Sequence, residues 1–271
     1  MVRIVREMNL IQVLSVVLTE LSVGSLLMTC LLPPREIRLS FFTFNSILCA
    51  LTAAVALLLS KIVLRAGWEE VRFLGLTVIG ATAAYGAFRL EKPDIGRVLL
   101  IISGFIGFIF GLLPLANQAL AARGIVTPAP WFFDASVLTG ALLLGAVNVG
   151  MILGHWYLLM RRLSFEHLVR FAQIVLGAVG LRILVVSFTI LLLNNYDANL
   201  GNTLIPSLWS PHGNLFFFLM RVLWGLVLPL GLGLLVLRCA QEKANQAATG
   251  MLYVMAVSVL FGELFAAYLL I

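Results

Sequence analysis

Four charged residues interrupt apolar runs long enough to cross a bilayer: Glu20, Arg182, Arg221 and Glu263. A charge at bilayer depth costs about 2.5–3.5 kcal/mol on insertion scales, so each needs a counter-charge or a task. Glu20 and Arg182 fall near the middle of the first and sixth runs, and Arg221 and Glu263 lie at matching, shallower depths in the seventh and eighth. Equal depths predict two neutralising pairs, Glu20 with Arg182 and Glu263 with Arg221. Such pairs either fix helix packing or hold a carboxylate that exchanges a proton, its ionisation set by desolvation and by the neighbouring arginine.

A second group of polar residues is milder. Asn148 and His155 stand seven residues apart, hence on one helical face, between Gly145 and Gly150 and the basic stretch at Arg161 and Arg162. His155, followed by Trp156 and Tyr157, reads either as part of an interfacial belt or as a hydrogen-bonding group for a ligand with a carbonyl or headgroup oxygen. Gln12, Ser15, Thr19 and Ser22 form a small-polar stripe beside Glu20, expected to pack helices closely or to line a cavity. With only three histidines, His155, His167 and His212, two axial ligands at one depth are not expected, which argues against haem. Cys30, Cys49 and Cys239 lack CxxC spacing, so no metal site is expected. No GxSxG, HExxH or Walker pattern occurs.

The elements that must position these residues are transmembrane helices. Of the 271 residues 62% are hydrophobic and 11% charged, against roughly 45–50% and about 25% in a soluble domain. That excludes a soluble enzyme and a disordered chain. Apolar runs bounded by charges predict eight spans near 9–32, 40–60, 72–90, 97–122, 135–160, 167–194, 214–239 and 246–271. An all-α integral membrane protein follows, because lipid forces backbone groups to pair within each span.

Ten Lys and Arg fall on the side of the connections after spans 1, 3, 5 and 7, and six on the other, among them Lys61, Arg65 and Arg72. The positive-inside rule then places both termini outside the cytoplasmic membrane, with the loops at 123–134 and 195–213. Trp131, Phe132 and Phe133 in the first of these, and Tyr196 and Trp209 in the second, read as interfacial anchors or as a docking face. The net charge of +6 belongs to this flanking pattern and points to no nucleic acid.

The chain also reads as two units, 1–122 and 123–271, of four spans each. Arg72 and Arg89 correspond to Arg221 and Arg238, Phe110-Gly111 to Phe261-Gly262, and Val23-Gly24 to Val149-Gly150. Even-numbered units repeat in parallel, giving two four-helix bundles with a cleft between them.

The stretch Arg221-Val-Leu-Trp-Gly-Leu-Val-Leu-Pro-Leu, the last span ending Leu260-Phe-Gly-Glu-Leu-Phe-Ala-Ala-Tyr, and the first span with Glu20 and Val23-Gly24 resemble the polysulfide-reductase (NrfD-type) and dimethyl-sulfoxide-reductase membrane-anchor family. The pattern departs from that family at Ser60-Lys-Ile-Val-Leu-Arg and at Ala266 and Ala267. The resemblance implies eight spans, both termini outside, and a quinone- or quinol-interacting subunit of a redox complex whose iron–sulfur or cytochrome partner subunits dock on the outer loops. Glu20 and Glu263 would then exchange protons with the quinone, and Arg182, Arg221, His155 and Asn148 would bind it. A transporter or channel, or a purely structural membrane subunit, are the competing classes.

Overall fold

The computed structural model describes residues 10–63, 67–122, 131–159, 165–196 and 215–269. Among them there is no strand, and eight helices are long and apolar enough to cross a membrane. They are α1 (Leu10–Thr29), α2 (Leu39–Leu58, continued by a π-helical turn Leu59–Val63), α3 (Trp68–Arg89), α4 (Pro93–Ile106, π-helical Gly107–Leu112, then Leu113–Ala122), α5 (Trp131–Leu159), α6 (Phe165–Tyr196), α7 (Leu215–Val222, π-helical Leu223–Val227, then Leu228–Gln241) and α8 (Asn245–Leu269). Pro93 opens α4, where its missing N–H is free of any intrahelical partner in any case. The turns before α4 and α8 each use a residue of positive φ, Glu91 and Lys243.

Helices α1 to α4 close a ring in which each packs on the next and α4 returns to α1; α5 to α8 close a second ring in the same cyclic order. The rings meet through α1 against α5, with α1 also touching α8. Helix α5 is therefore central, with 78% of its most apolar stretch buried, whereas the peripheral α7 has 22%. Backbone contact makes the α1–α5 crossing possible: a Cβ on Gly24 would collide with the Ala141 carbonyl, and one on Gly145 with the backbone of Gly24. The Asn148 amide donates to Ser25 Oγ at 2.9 Å across the same crossing.

The small-polar stripe of α1 serves packing. Ser15 and Thr19 donate to carbonyls one turn back in their own helix, and Ser22 donates to the Cys49 carbonyl of α2 at 2.8 Å. One expectation needs correction at the start of α5. Trp131, Phe132 and Phe133 are helical rather than loop, and Phe132 and Phe133 are buried, while Trp131 alone is exposed as an interfacial anchor would be. Their burial follows from helix length, since α5 spans 29 residues as the central helix of the fold. Arg65, Arg161, Arg162, Trp209 and His212 lie outside the described residues.

The proposed internal correspondences fare unevenly. Gly111 and Gly262 are buried, and each faces the third helix of its ring, near Leu74 and against Gly225 respectively. Arg72 is exposed, however, whereas its counterpart Arg221 is buried, and the π-helical turns fall in α2, α4 and α7 rather than at matching places.

Candidate functional site

A polar cluster, mostly from the second ring, lies near the face at which α1 begins and α8 ends. Glu263 and Arg221 stand six residues from the ends of their helices on that face, about 9 Å along the axis. Glu20, Arg182, Arg221 and Glu263 are each no more than 2% exposed.

Glu263 of α8 is the hub. Arg182 of α6 donates to it twice, from Nη2 to Oε2 at 2.7 Å and from Nε to Oε1 at 3.2 Å. Arg182 Nη1 also donates to the Ser136 carbonyl, to Ser136 Oγ at 2.7 Å and to Thr139 Oγ1 at 3.2 Å, all on α5. Helices α6 and α8 are diagonal neighbours in the ring, so the arginine reaches across its core. Gly140 of α5 leaves the space it crosses, because a Cβ there would stand 2.6 Å from Glu263 Oε2 and 3.2 Å from Arg182 Nη2.

Arg221 is held differently. Its Nη2 is 3.7 Å from Glu263 Oε1, an ion pair beyond hydrogen-bond reach, and none of its three guanidinium nitrogens has a hydrogen-bond partner among the described residues. Glu20 Oε2 is buried and equally without a partner. Glu20 lies within electrostatic reach of Glu263, Arg182 and Arg221. Buried polar atoms left unsatisfied are uncommon, and four within one cluster mark it out from the packed polar groups elsewhere in the chain.

Of the two predicted pairs, Glu263 with Arg221 forms as an ion pair at 3.7 Å, whereas Glu20 with Arg182 is corrected, because Arg182 is bonded to Glu263 instead. Glu263 takes Arg182 as its hydrogen-bonded partner, and Arg221 shares only the far side of that carboxylate. Matching depth found Arg221 beside Glu263 but missed Arg182, because which residues meet across the ring depends on the helices' rotation and on ring closure. Asn148 and His155 are not part of the cluster. Asn148 faces α1 through Ser25, and His155, which is exposed, lies with Nδ1 3.2 Å from the Tyr253 hydroxyl of α8. His155 is fifteen residues beyond Gly140 on α5, about 22 Å along the helix. His167 is engaged elsewhere, with Nε2 2.8 Å from Glu36 Oε2.

Four residues escaped the sequence reading. Ser136, Thr139 and Gly140 carried a signal: their i, i+3, i+4 spacing puts two hydroxyls and a gap on one face of the most buried helix. Gly225 lies in the π-helical turn of α7, where a Cβ would strike Arg221 Nη1. The wider turn frees the Trp224 carbonyl, which accepts from Ser258 Oγ of α8 at 2.6 Å. Gly225 and Gly262 bring α7 and α8 into backbone contact there. Single-turn π segments are frequent at functional sites. Toward the helix ends, Val186, Phe218, Leu226 and Leu269 form a separate apolar cluster between α6, α7 and α8, with the Phe217 and Tyr268 rings 4.8 Å apart beside it.

Chemically, the site offers donors without acceptors on Arg221, an unpartnered acceptor oxygen on Glu20, and an Arg182–Glu263 ion pair anchored to the α5 hydroxyls. Comparison of the chain with protein-family models, with curated proteins and with solved structures yields no match.

Proposed function

We infer that the chain is the membrane-anchor, quinone-interacting subunit of a redox complex, with no haem or metal of its own, and that the Glu20–Arg221 side of the cluster meets the quinone headgroup. The observations that carry this reading are the buried Arg221 guanidinium with no hydrogen-bond partner among the described residues and the buried, unpartnered Oε2 of Glu20, which lies within electrostatic reach of it. Arg221 would donate to a carbonyl oxygen. Glu20 would accept one of the two protons that quinol oxidation releases and the other would pass to water, while the quinol's two electrons pass to an iron–sulfur or cytochrome centre in a partner subunit. The Arg182–Glu263 pair would hold the cluster open and in register. The resemblance of the first and last spans to the polysulfide-reductase (NrfD-type) anchors supports the same reading, and with it a place in the cytoplasmic membrane with both termini outside.

A secondary transporter is the second reading, favoured by the same cyclic order of the two rings and by a charge cluster to which both contribute. Purification of the whole complex in mild detergent, followed by extraction of bound lipid, separates them. Quinone should copurify with the wild type together with a redox partner, should be lost in Arg221→Gln, and should be retained in an inactive Glu20→Gln. A lone protomer without quinone, or full quinol-linked electron transfer in an assembled Glu20→Gln variant, would overturn the anchor reading.

A further inference from the structure

On the face opposite the termini, the connection between α1 and α2 and the first turns of α6 enclose a groove of ≈ 380 Å³. This is within the size range of small-molecule sites. Part of the lining is apolar, with Leu31, which is exposed, and Ile174. The rest is charged. Glu36, Glu166, His167 and Arg170 line it, and His167 is nearly buried with its Nε2 donating to Glu36 across the gap between the two rings. Arg170 is tied only loosely, 3.8 Å from Glu166 one turn back, and both of those side chains are largely exposed.

We propose that this groove is a binding site for a zwitterionic phospholipid with a primary ammonium headgroup, a phosphatidylethanolamine. The charge pattern selects it. Arg170 offers forked donors to a phosphate, while Glu166 and Glu36 flank it with two carboxylates that repel a purely anionic headgroup and accept N–H bonds from an ammonium. A quaternary ammonium has no N–H to give. The apolar lining at Leu31 and Ile174 receives the start of an acyl chain, which a soluble phosphoethanolamine lacks. A lipid held there would bridge the first ring to the second beside the His167–Glu36 contact, independently of the cluster on the other face.

The test is native mass spectrometry of the full chain exchanged into mixed micelles containing equal phosphatidylethanolamine, phosphatidylglycerol and phosphatidylcholine. The wild type should retain phosphatidylethanolamine over each of the others by about fivefold, equivalent to about 1 kcal/mol. Arg170→Ala should abolish the preference. Glu36→Gln combined with Glu166→Gln should reverse it toward phosphatidylglycerol, a change of selectivity that misfolding would not produce. Equal retention of the three lipids, an unchanged preference in the variants, or displacement by excess soluble phosphoethanolamine would each overturn the proposal.

Discussion

The rearranged pairing makes a prediction that the depth-matched pairs would invert. Two double variants each remove one positive and one negative charge from the cluster, Glu20→Gln with Arg221→Gln and Glu20→Gln with Arg182→Gln. The first leaves Arg182 bonded twice to Glu263 and to Ser136 and Thr139, and deletes only groups whose nitrogens and Oε2 lack hydrogen-bond partners. Replacing buried charges that are poorly compensated is often neutral or stabilising. The expected change is therefore within about 1 kcal/mol of wild type. The second variant strips Glu263 of both hydrogen bonds and leaves it with Arg221 at 3.7 Å. Breaking a buried, hydrogen-bonded pair costs about 3–5 kcal/mol. Reversible unfolding of the purified chain in mixed micelles, followed by helicity against the mole fraction of denaturing detergent, reads the difference. Equal destabilisation by the two doubles, or a worse result for the Arg221 double, would refute the geometry of the cluster.

Gly24→Ala should destabilise by about 1–3 kcal/mol, because its Cβ meets the Ala141 backbone rather than a flexible side chain, whereas Gly177→Ala, with nothing within 4 Å, should be neutral or gain up to about 1 kcal/mol of helix propensity; equal effects in the same unfolding assay would contradict the α1–α5 crossing. Reporter fusions after Ile271 and at Lys243, in the turn between α7 and α8, should give opposite signals with the former outside; the reverse pattern would sink the charge-based orientation. Burial pushes the Cys30 thiol up to about 12, so the reactive thiolate is scarce below that pH and maleimide labelling of Cys30 should stay slow at pH 8 and rise only in strong alkali; labelling at pH 8 as fast as a free thiol would disprove it.

The fold was legible because each span announces itself by composition. Eight apolar runs bounded by charges recover the eight helices; α3, α4 and α5 each begin four residues before the predicted start, and at α5 Trp131 to Asp134 have the aromatic look of an interface yet belong to the helix. The π-helical turns left no trace, since Leu223 to Val227 and Gly107 to Leu112 differ from their surroundings in hydrogen bonding and not in residue type. The four charges were conspicuous because lipid makes them costly. The Glu263–Arg221 pair was legible from matching depth, but the partner of Arg182 was not, because a periodicity gives the face of one helix but not which neighbour that face meets. The same limit separated Asn148 from His155: seven residues apart on one face, they meet α1 and α8 respectively.

What places Glu20 in the cluster is a contact made by residues without side chains. Glu20 belongs to the first ring, and the charges it senses belong to the second. Gly24 lies one turn beyond it on α1 and sits against Ala141 and Gly145 of α5, so the spacing of the two helices is set by backbone. On α5, Gly140 is adjacent to Ala141 in sequence and faces the ring core, where it leaves the passage for Arg182 to reach Glu263. One short stretch of α5 therefore receives α1 on one side and opens the charge cluster on the other. A substitution at Gly24 should then displace Glu20 relative to Arg221 as well as loosen the rings and, on the proposed quinol-oxidising role, should lower electron transfer even in chains that assemble. A Gly24→Ala chain that is destabilised yet keeps wild-type electron transfer once assembled would separate the two roles and remove the reason for placing a proton-exchanging carboxylate on α1.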